Sequence, residues 1–198
     1  MLRLHKVVVK RGRSRIVLPD LELRGGDICG LRGPSGVGKS TLASVLAGMT
    51  CVASGEVMTA KQSKGGNNPV QWVIQQGELA FNPRLTLAES LDEAWHGREM
   101  GELVSQLEIE PGWLSRRPGT LSGGQLQRIN LLRALNPDTR YVLCDEVTAQ
   151  LDVLTQQKIW RSLQGIARER NLGMLVISHD EHLLTQVCQR IIHWPAAQ

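Results

Sequence analysis

Eight consecutive residues constrain this chain more than any others: Gly33, Pro34, Ser35, Gly36, Val37, Gly38, Lys39 and Ser40 fit the pattern G-x-x-x-x-G-K-[ST]. The pattern has a physical meaning only where a strand runs into a glycine turn that opens a helix. Both flanks comply. Ile28-Cys29-Gly30-Leu31 reads as a short apolar strand, and Lys39 to Ala47, ended by Gly48, has the apolar spacing of a helix. Glycines let successive backbone N–H groups turn inward around phosphates, and the helix start adds its positive end. Lys39 then reaches the β/γ-phosphate oxygens, Ser40 offers a hydroxyl to Mg²⁺, and Thr41 follows at the helix start.

The remaining pattern alternates strands with helices. Leu4 to Val9 and Ile16 to Leu23, separated by Arg11-Gly12-Arg13-Ser14, read as a hairpin, and Gly25-Gly26-Asp27 as a turn. Residues 60–69 form a polar loop without expected chemistry, followed by a strand from Val70 to Ile74. Leu, Ala and Trp spacing from Thr86 to about Leu107 predicts one or two helices, closed by Pro111-Gly112. Ser122 caps a helix that runs to about Leu135 and stops at Asn136-Pro137. Strands at Tyr141 to Cys144, Gly173 to Ile177 and Arg190 to Trp194 alternate with helices at Thr155 to Arg170 and Glu181 to Cys188. The expected class is an α/β core with a mainly parallel sheet, an antiparallel N-terminal β region and a helical insertion.

Composition narrows the function. A chain of 198 residues, 41% hydrophobic and 21% charged, is expected to form one domain, 1–198, with a helical part at about 80–135, and is not disordered or fibrous. One Tyr and one Phe beside five Trp disfavour aromatic platforms for nucleic acid, so no nucleic-acid partner is expected. The net charge of +4 fits phosphate ligands or an acidic partner without choosing between them. Cys29, Cys51, Cys144 and Cys188 lack zinc spacing and read as buried thiols in a reducing compartment. The N-terminus has no apolar leader and no long apolar run occurs, so a cytosolic chain is expected, with any membrane role supplied by a partner.

Two further features bear chemistry. The strand Tyr141 to Cys144 ends in Asp145-Glu146, two carboxylates at the sheet edge where open α/β folds bind ligands. Asp145 can hold Mg²⁺ and Glu146 can polarise an attacking water. Leu121-Ser122-Gly123-Gly124-Gln125 opens a helix with small residues and a hydroxyl, a second anion-binding start. His179 with His182 leaves a metal site open as an alternative.

The run Leu121 to Arg128, downstream of the glycine loop and just before Asp145-Glu146, resembles the signature of ATP-binding cassette (ABC) ATPases. The resemblance extends from Leu2 to Trp194, with the family's motifs in order. It implies ATP and Mg²⁺ as ligands, with nucleotide bound by Gly33 to Thr41 of one chain and Ser122, Gly123, Gly124 and Gln125 of another. It implies catalytic roles for Glu146, for Gln75 as the Q-loop glutamine and for His179 as the switch histidine, and Mg²⁺ ligation by Ser40, Gln75 and Asp145. Leu151-Asp152 matches the end of the D-loop. Phe81-Asn82-Pro83-Arg84, Leu151-Asp152-Val153 with Gln156, and Cys188-Gln189-Arg190-Ile191 are similar to the dipeptide/oligopeptide/nickel importers, especially the metal-chelate members.

That resemblance implies an ATP-hydrolysing importer subunit on the cytoplasmic face of the inner membrane. Its partners would be permease subunits, a second ATPase subunit and, indirectly, an extracytoplasmic binding protein. A non-transport ABC-like subunit of a metabolic or DNA-repair complex is the alternative. Two positions depart from the family: Val147-Thr148-Ala149-Gln150 precede Leu151-Asp152, and no aromatic occurs near Lys10 to Arg13, where the family stacks adenine. Arg11 or Arg13 could meet the base only as a cation over its π face, with His5 as a substitute stacker.

Overall fold

The computed structural model describes residues 1–12 and 14–194, so Arg13 and residues 195–198 lie outside the described residues. The chain runs β1 (Leu2–Arg11), β2 (Ser14–Val17), β3 (Leu21–Leu23), β4 (Ile28–Arg32), α1 (Lys39–Leu46), β5 (Ser54–Met58) and β6 (Val70–Val73). There follow α2 (Leu87–Trp95), α3 (Leu103–Gln106), α4 (Pro111–Leu114), α5 (Gly123–Ala134) and β7 (Tyr141–Asp145). The chain continues through α6 (Val153–Glu169), β8 (Gly173–Ile177), α7 (Glu181–Val187) and β9 (Arg190–His193).

Five strands form a parallel sheet in the order β6-β7-β8-β4-β9. Every residue of β7 and β8 is buried, which explains the apolar runs Tyr141 to Cys144 and Gly173 to Ile177: a strand covered on both faces has no polar alternation. Side chains alternate between two cores. Val142, Cys144, Met174 and Val176 face the core built with α2, α5, α6 and α7, whereas Leu143, Leu175 and Ile177 face α1 and the antiparallel strands. The ends of β4, β7 and β8 therefore lie side by side, and the loops that leave them carry the candidate site.

The expected N-terminal hairpin is broken in two. Pro19 has no N–H for a ladder, so β2 stops at Val17 and β3 begins at Leu21, both antiparallel to β1. Asp20 fills the break by accepting the Lys6 N–H at 2.7 Å and bonding His5 Nδ1 at 2.8 Å. Strand β5 was not expected from its polar residues. It pairs with β1 across a register shift, and Gly55 sits so close there that a Cβ would lie 2.4 Å from the Lys6 carbonyl oxygen.

Pro111 opens α4 rather than closing the preceding block, because proline at the first helical position forfeits an N–H that would be unpaired anyway. Helix α6 starts two residues before expectation, where the Asp152 side chain accepts the Thr155 N–H. The polar loop 60–69 joins the two parts of the molecule: Asn67 bonds the Ala94 carbonyl and the Asp138 carboxylate, and Asn68 bonds the Ala47 carbonyl. Cys29 and Cys144 are buried and Cys188 is half-buried, but Cys51 is exposed, contrary to the reading of all four as buried.

Candidate functional site

The glycine loop rises from β4 and enters α1 at Lys39. Gly36 and Gly38 have φ of 79° and 118°, the left-handed region that a side chain disfavours, and the turn aims the following N–H groups into the loop. The Lys39 ammonium is folded back into the loop and donates to the Gly33 and Pro34 carbonyls at 2.7 and 2.9 Å. Burial holds its pKa below the ordinary lysine value, while the nearby charges of Glu146 and Asp145 pull the other way.

Strand β7 brings its carboxylates to the same edge. Ser40 Oγ donates to Asp145 Oδ2 at 2.8 Å. Burial raises the Asp145 pKa, opposed by the Ser40 hydroxyl, the Trp72 indole N–H and the charges of Lys39 and His179. Glu146 adopts φ of 52°, its own N–H bonded to the Ile177 carbonyl at 3.0 Å. That turn brings its carboxylate to the end of β8, where Oε1 accepts the His179 N–H at 2.9 Å and Oε2 meets Ser178 Oγ at 3.4 Å. His179 Nε2 lies 3.4 Å from Ser35 Oγ and 3.5 Å from Glu146 Oε1, so the imidazole spans the glycine loop and the carboxylate.

Lys39, Ser40, Asp145, Glu146, His179 and Ser35 thus converge from three strand ends. Gln75, exposed just beyond β6, makes no hydrogen bond to this group among the described residues. The two histidines do not converge: His182 Nε2 bonds Gln186 at 2.9 Å, and no group of three potential ligands from His, Cys, Asp and Glu occurs among the described residues. The oxygens of Ser40 and Asp145 are the hard donors that suit Mg²⁺, which takes few protein ligands and completes its shell with phosphate and water.

The second anion-binding start stands apart from the first. Ser122 Oγ accepts the Gln125 N–H at 3.3 Å and Gln125 Oε1 accepts the Ser122 N–H at 3.0 Å, a reciprocal cap that leaves the Ser122 hydroxyl hydrogen free to donate. The turn after Glu146 packs on its glycines. A Cβ on Gly123 would lie 2.2 Å from Gln150 Oε1, and one on Gly124 would lie 2.8 Å from Leu151 Cδ2. Gln127 ties α5 to the Q-loop by donating to the Ile74 carbonyl at 2.9 Å.

Three contributors escape a sequence reading. Thr148 is buried and accepts hydrogen bonds from Gln156 Nε2 at 2.9 Å and Trp160 Nε1 at 3.0 Å, anchoring the turn after Glu146. Trp194 follows β9 and sets its ring against Gly38 and Ile16, an aromatic beside the glycine loop 183 residues from Arg11. Trp72 approaches Asp145 from the neighbouring strand. Among the substitutes for the missing aromatic, His5 is held by Asp20 and Arg13 lies outside the described residues.

A parallel sheet whose central strand β8 leads to His179, flanked by the glycine-loop strand β4 on one side and the Asp-Glu strand β7 on the other, defines the phosphate-loop nucleoside triphosphatase class. The ABC transporter family model matches residues 19–149. The nickel import ATP-binding protein NikE of Pseudomonas putida is 35% identical over 87% of this chain and 70% of its own. The NikE counterpart of Staphylococcus aureus is 33% identical over 97% of this chain and 85% of its own. Among solved structures, the dimeric MJ0796 cassette superposes with a TM-score of 0.84 at 25% identity, covering 98% of this chain and 94% of that one. The same cassette bound to ADP and Pi superposes with a TM-score of 0.83 at 26% identity over 100% and 97%. The chain belongs to the ABC transporter family and is its ATP-hydrolysing cassette, with ATP and Mg²⁺ as ligands.

Proposed function

We propose that this cassette drives a nickel or metal-chelate importer, with the described chain acting as one nucleotide-binding domain whose helical part spans about 80–135. The observation that carries the reading is the convergence of Ser40, Asp145, Glu146 and His179 at one sheet edge, in a chain whose relatives are named for nickel import. Lys39 exchanges its two carbonyl partners for β/γ-phosphate oxygens, and the N–H groups of residues 33–41 cradle the phosphates. Ser40, Asp145 and Gln75 would hold Mg²⁺, which when bound would supply positive charge against the transferring phosphoryl group. Glu146 orients and polarises the attacking water, and His179 reaches the γ-phosphate from beside Ser35.

Ser122, Gly123, Gly124 and Gln125 face the nucleotide of a second cassette, so ATP closes a head-to-tail dimer. The second subunit is another copy or a sibling. Among the described residues no helix is long and apolar enough to cross a membrane. In this reading permease subunits carry the cargo, and the chain is peripheral on the cytoplasmic face. Asn82, Ser90, Glu93 and Arg133 line a polar cleft, floored by Phe81, where a permease loop can dock. An extracytoplasmic binding protein would deliver cargo to that permease.

Proteoliposomes holding the cassette and its permease, loaded inside with ATP and Mg²⁺, test the reading. Uptake of a nickel chelate that stops with Glu146→Gln is expected. Uptake of dipeptide but not nickel would move the cargo to the peptide branch.

A further inference from the structure

Trp72 carries a feature that the ATPase mechanism leaves unused. It stands on β6 opposite Leu143 of β7, which places it on the same face of the sheet as Asp145, two residues further along. Its ring packs on the core beneath α1, the helix that begins with Lys39 and Ser40. The indole N–H is shut away from water and makes no hydrogen bond of full geometry. Such an orphan is uncommon, since a buried tryptophan N–H normally finds an acceptor and leaving it unmade is unfavourable. The carboxylate on that face, two residues beyond Leu143, is that of Asp145, which receives the Ser40 hydroxyl at 2.8 Å.

We propose that Trp72 is a positioning residue for the metal end of the site: its indole N–H completes a hydrogen bond to the Asp145 carboxylate when Mg²⁺ and ATP are bound, fixing that carboxylate for the metal. The proposal rests on Asp145 as the Mg²⁺-side carboxylate. The contact stays incomplete while Asp145 is engaged by Ser40 alone. With the Ser40 oxygen turned to a bound metal, Trp72 would be the neutral donor that holds the carboxylate in place. A hydrogen bond to a charged acceptor in a shielded setting is among the stronger kinds, so its completion belongs to the metal-bound state and not to nucleotide binding as such.

The test measures ATP affinity of the whole chain by calorimetry in Mg²⁺ and in EDTA, for the parent and for Trp72→Phe, which keeps an apolar ring and removes the N–H. Trp72→His, which restores a ring N–H, is the second variant. The expected result is an unchanged affinity in EDTA and a loss of about tenfold in the tightening that Mg²⁺ brings, partly restored by histidine. Equal losses with and without Mg²⁺ would mark Trp72 as packing only, and an unaltered Mg²⁺ effect would remove it from the site; either overturns the proposal. A parent chain that binds ATP with no Mg²⁺ effect would overturn the Asp145 reading beneath it as well.

Discussion

Replacing Thr148 by Val should destabilise the fold by about 2–4 kcal/mol, and the structure says where that comes from. Valine matches threonine in shape but removes the oxygen that receives two donors, Trp160 Nε1 at 3.0 Å and Gln156 Nε2 at 2.9 Å. Trp160 is 3% exposed and its N–H cannot turn to water, so its loss is the desolvation of an unpaired donor, about 1–3 kcal/mol. Gln156 is half-buried beside a cavity and recovers part of its bond from solvent, leaving about 0.5–1.5 kcal/mol. Against a total stability of about 5–15 kcal/mol, this is visible in a urea titration as a lower midpoint at unchanged slope. A double-mutant cycle isolates the tryptophan part. In a Trp160→Phe background, Thr148→Val should lose only the glutamine share, so the coupling is about 1–2 kcal/mol. Coupling below about 0.3 kcal/mol would show that the hydroxyl is not holding the indole, and the account of the turn after Glu146 would fall with it.

Other outcomes follow from the same geometry. Lys39→Ala should abolish most ATP binding in a fluorescent-nucleotide titration, since nothing else on the loop supplies a fixed cation to the β/γ oxygens; unchanged affinity would refute that assignment. Glu146→Gln should keep ATP bound while slowing turnover about 10²–10⁴-fold, and a variant hydrolysing at the parent rate would remove Glu146 from the water's side. Hydrogen bonds from Arg98, and then from Asn67, hold the Asp138 carboxyl well below the usual range, so its stabilising effect is complete above the unfolded value of about 4 and fades as pH falls below it. Urea midpoints should therefore fall more steeply between pH 5 and pH 3, about that range, for the parent than for Asp138→Asn; parallel curves would count against the pairing. If the base meets only the Arg11 hairpin, GTP should support hydrolysis within about tenfold of ATP in kcat/KM; a preference of several hundredfold would refute this and point to a ring such as Trp194, which packs beside Gly38.

Local chemistry made much of the fold and site legible. The loop Gly33 to Ser40, the Ser122 cap and the strand ending in Asp145-Glu146 are contiguous, and each motif lies in the element that its spacing implies. What escaped notice depends on partners distant in sequence. Strand β5 is exposed and polar, and exists because β1 offers it a free edge. Thr148 looks like any turn threonine until α6 returns with Gln156 and Trp160. Trp194 reaches Gly38 only because β9 lies beside β4 in the sheet, an order that no periodicity encodes. Proline was misread at residue 111 because the same missing N–H that ends one helix is harmless at the start of the next.

If Lys39 grips the phosphates as proposed, its clasp on the Gly33 and Pro34 carbonyls makes nucleotide binding an exchange rather than an addition. A phosphate that takes the ammonium must replace those two carbonyls as its acceptor. Proton traffic follows. Burial weakens the lysine's hold on its proton in the empty loop, whereas phosphate charge strengthens it, so binding draws protons toward the protein. The grip on nucleotide should accordingly loosen as alkaline pH climbs through the empty-state lysine value, and the heat of binding should vary with the ionisation enthalpy of the buffer there.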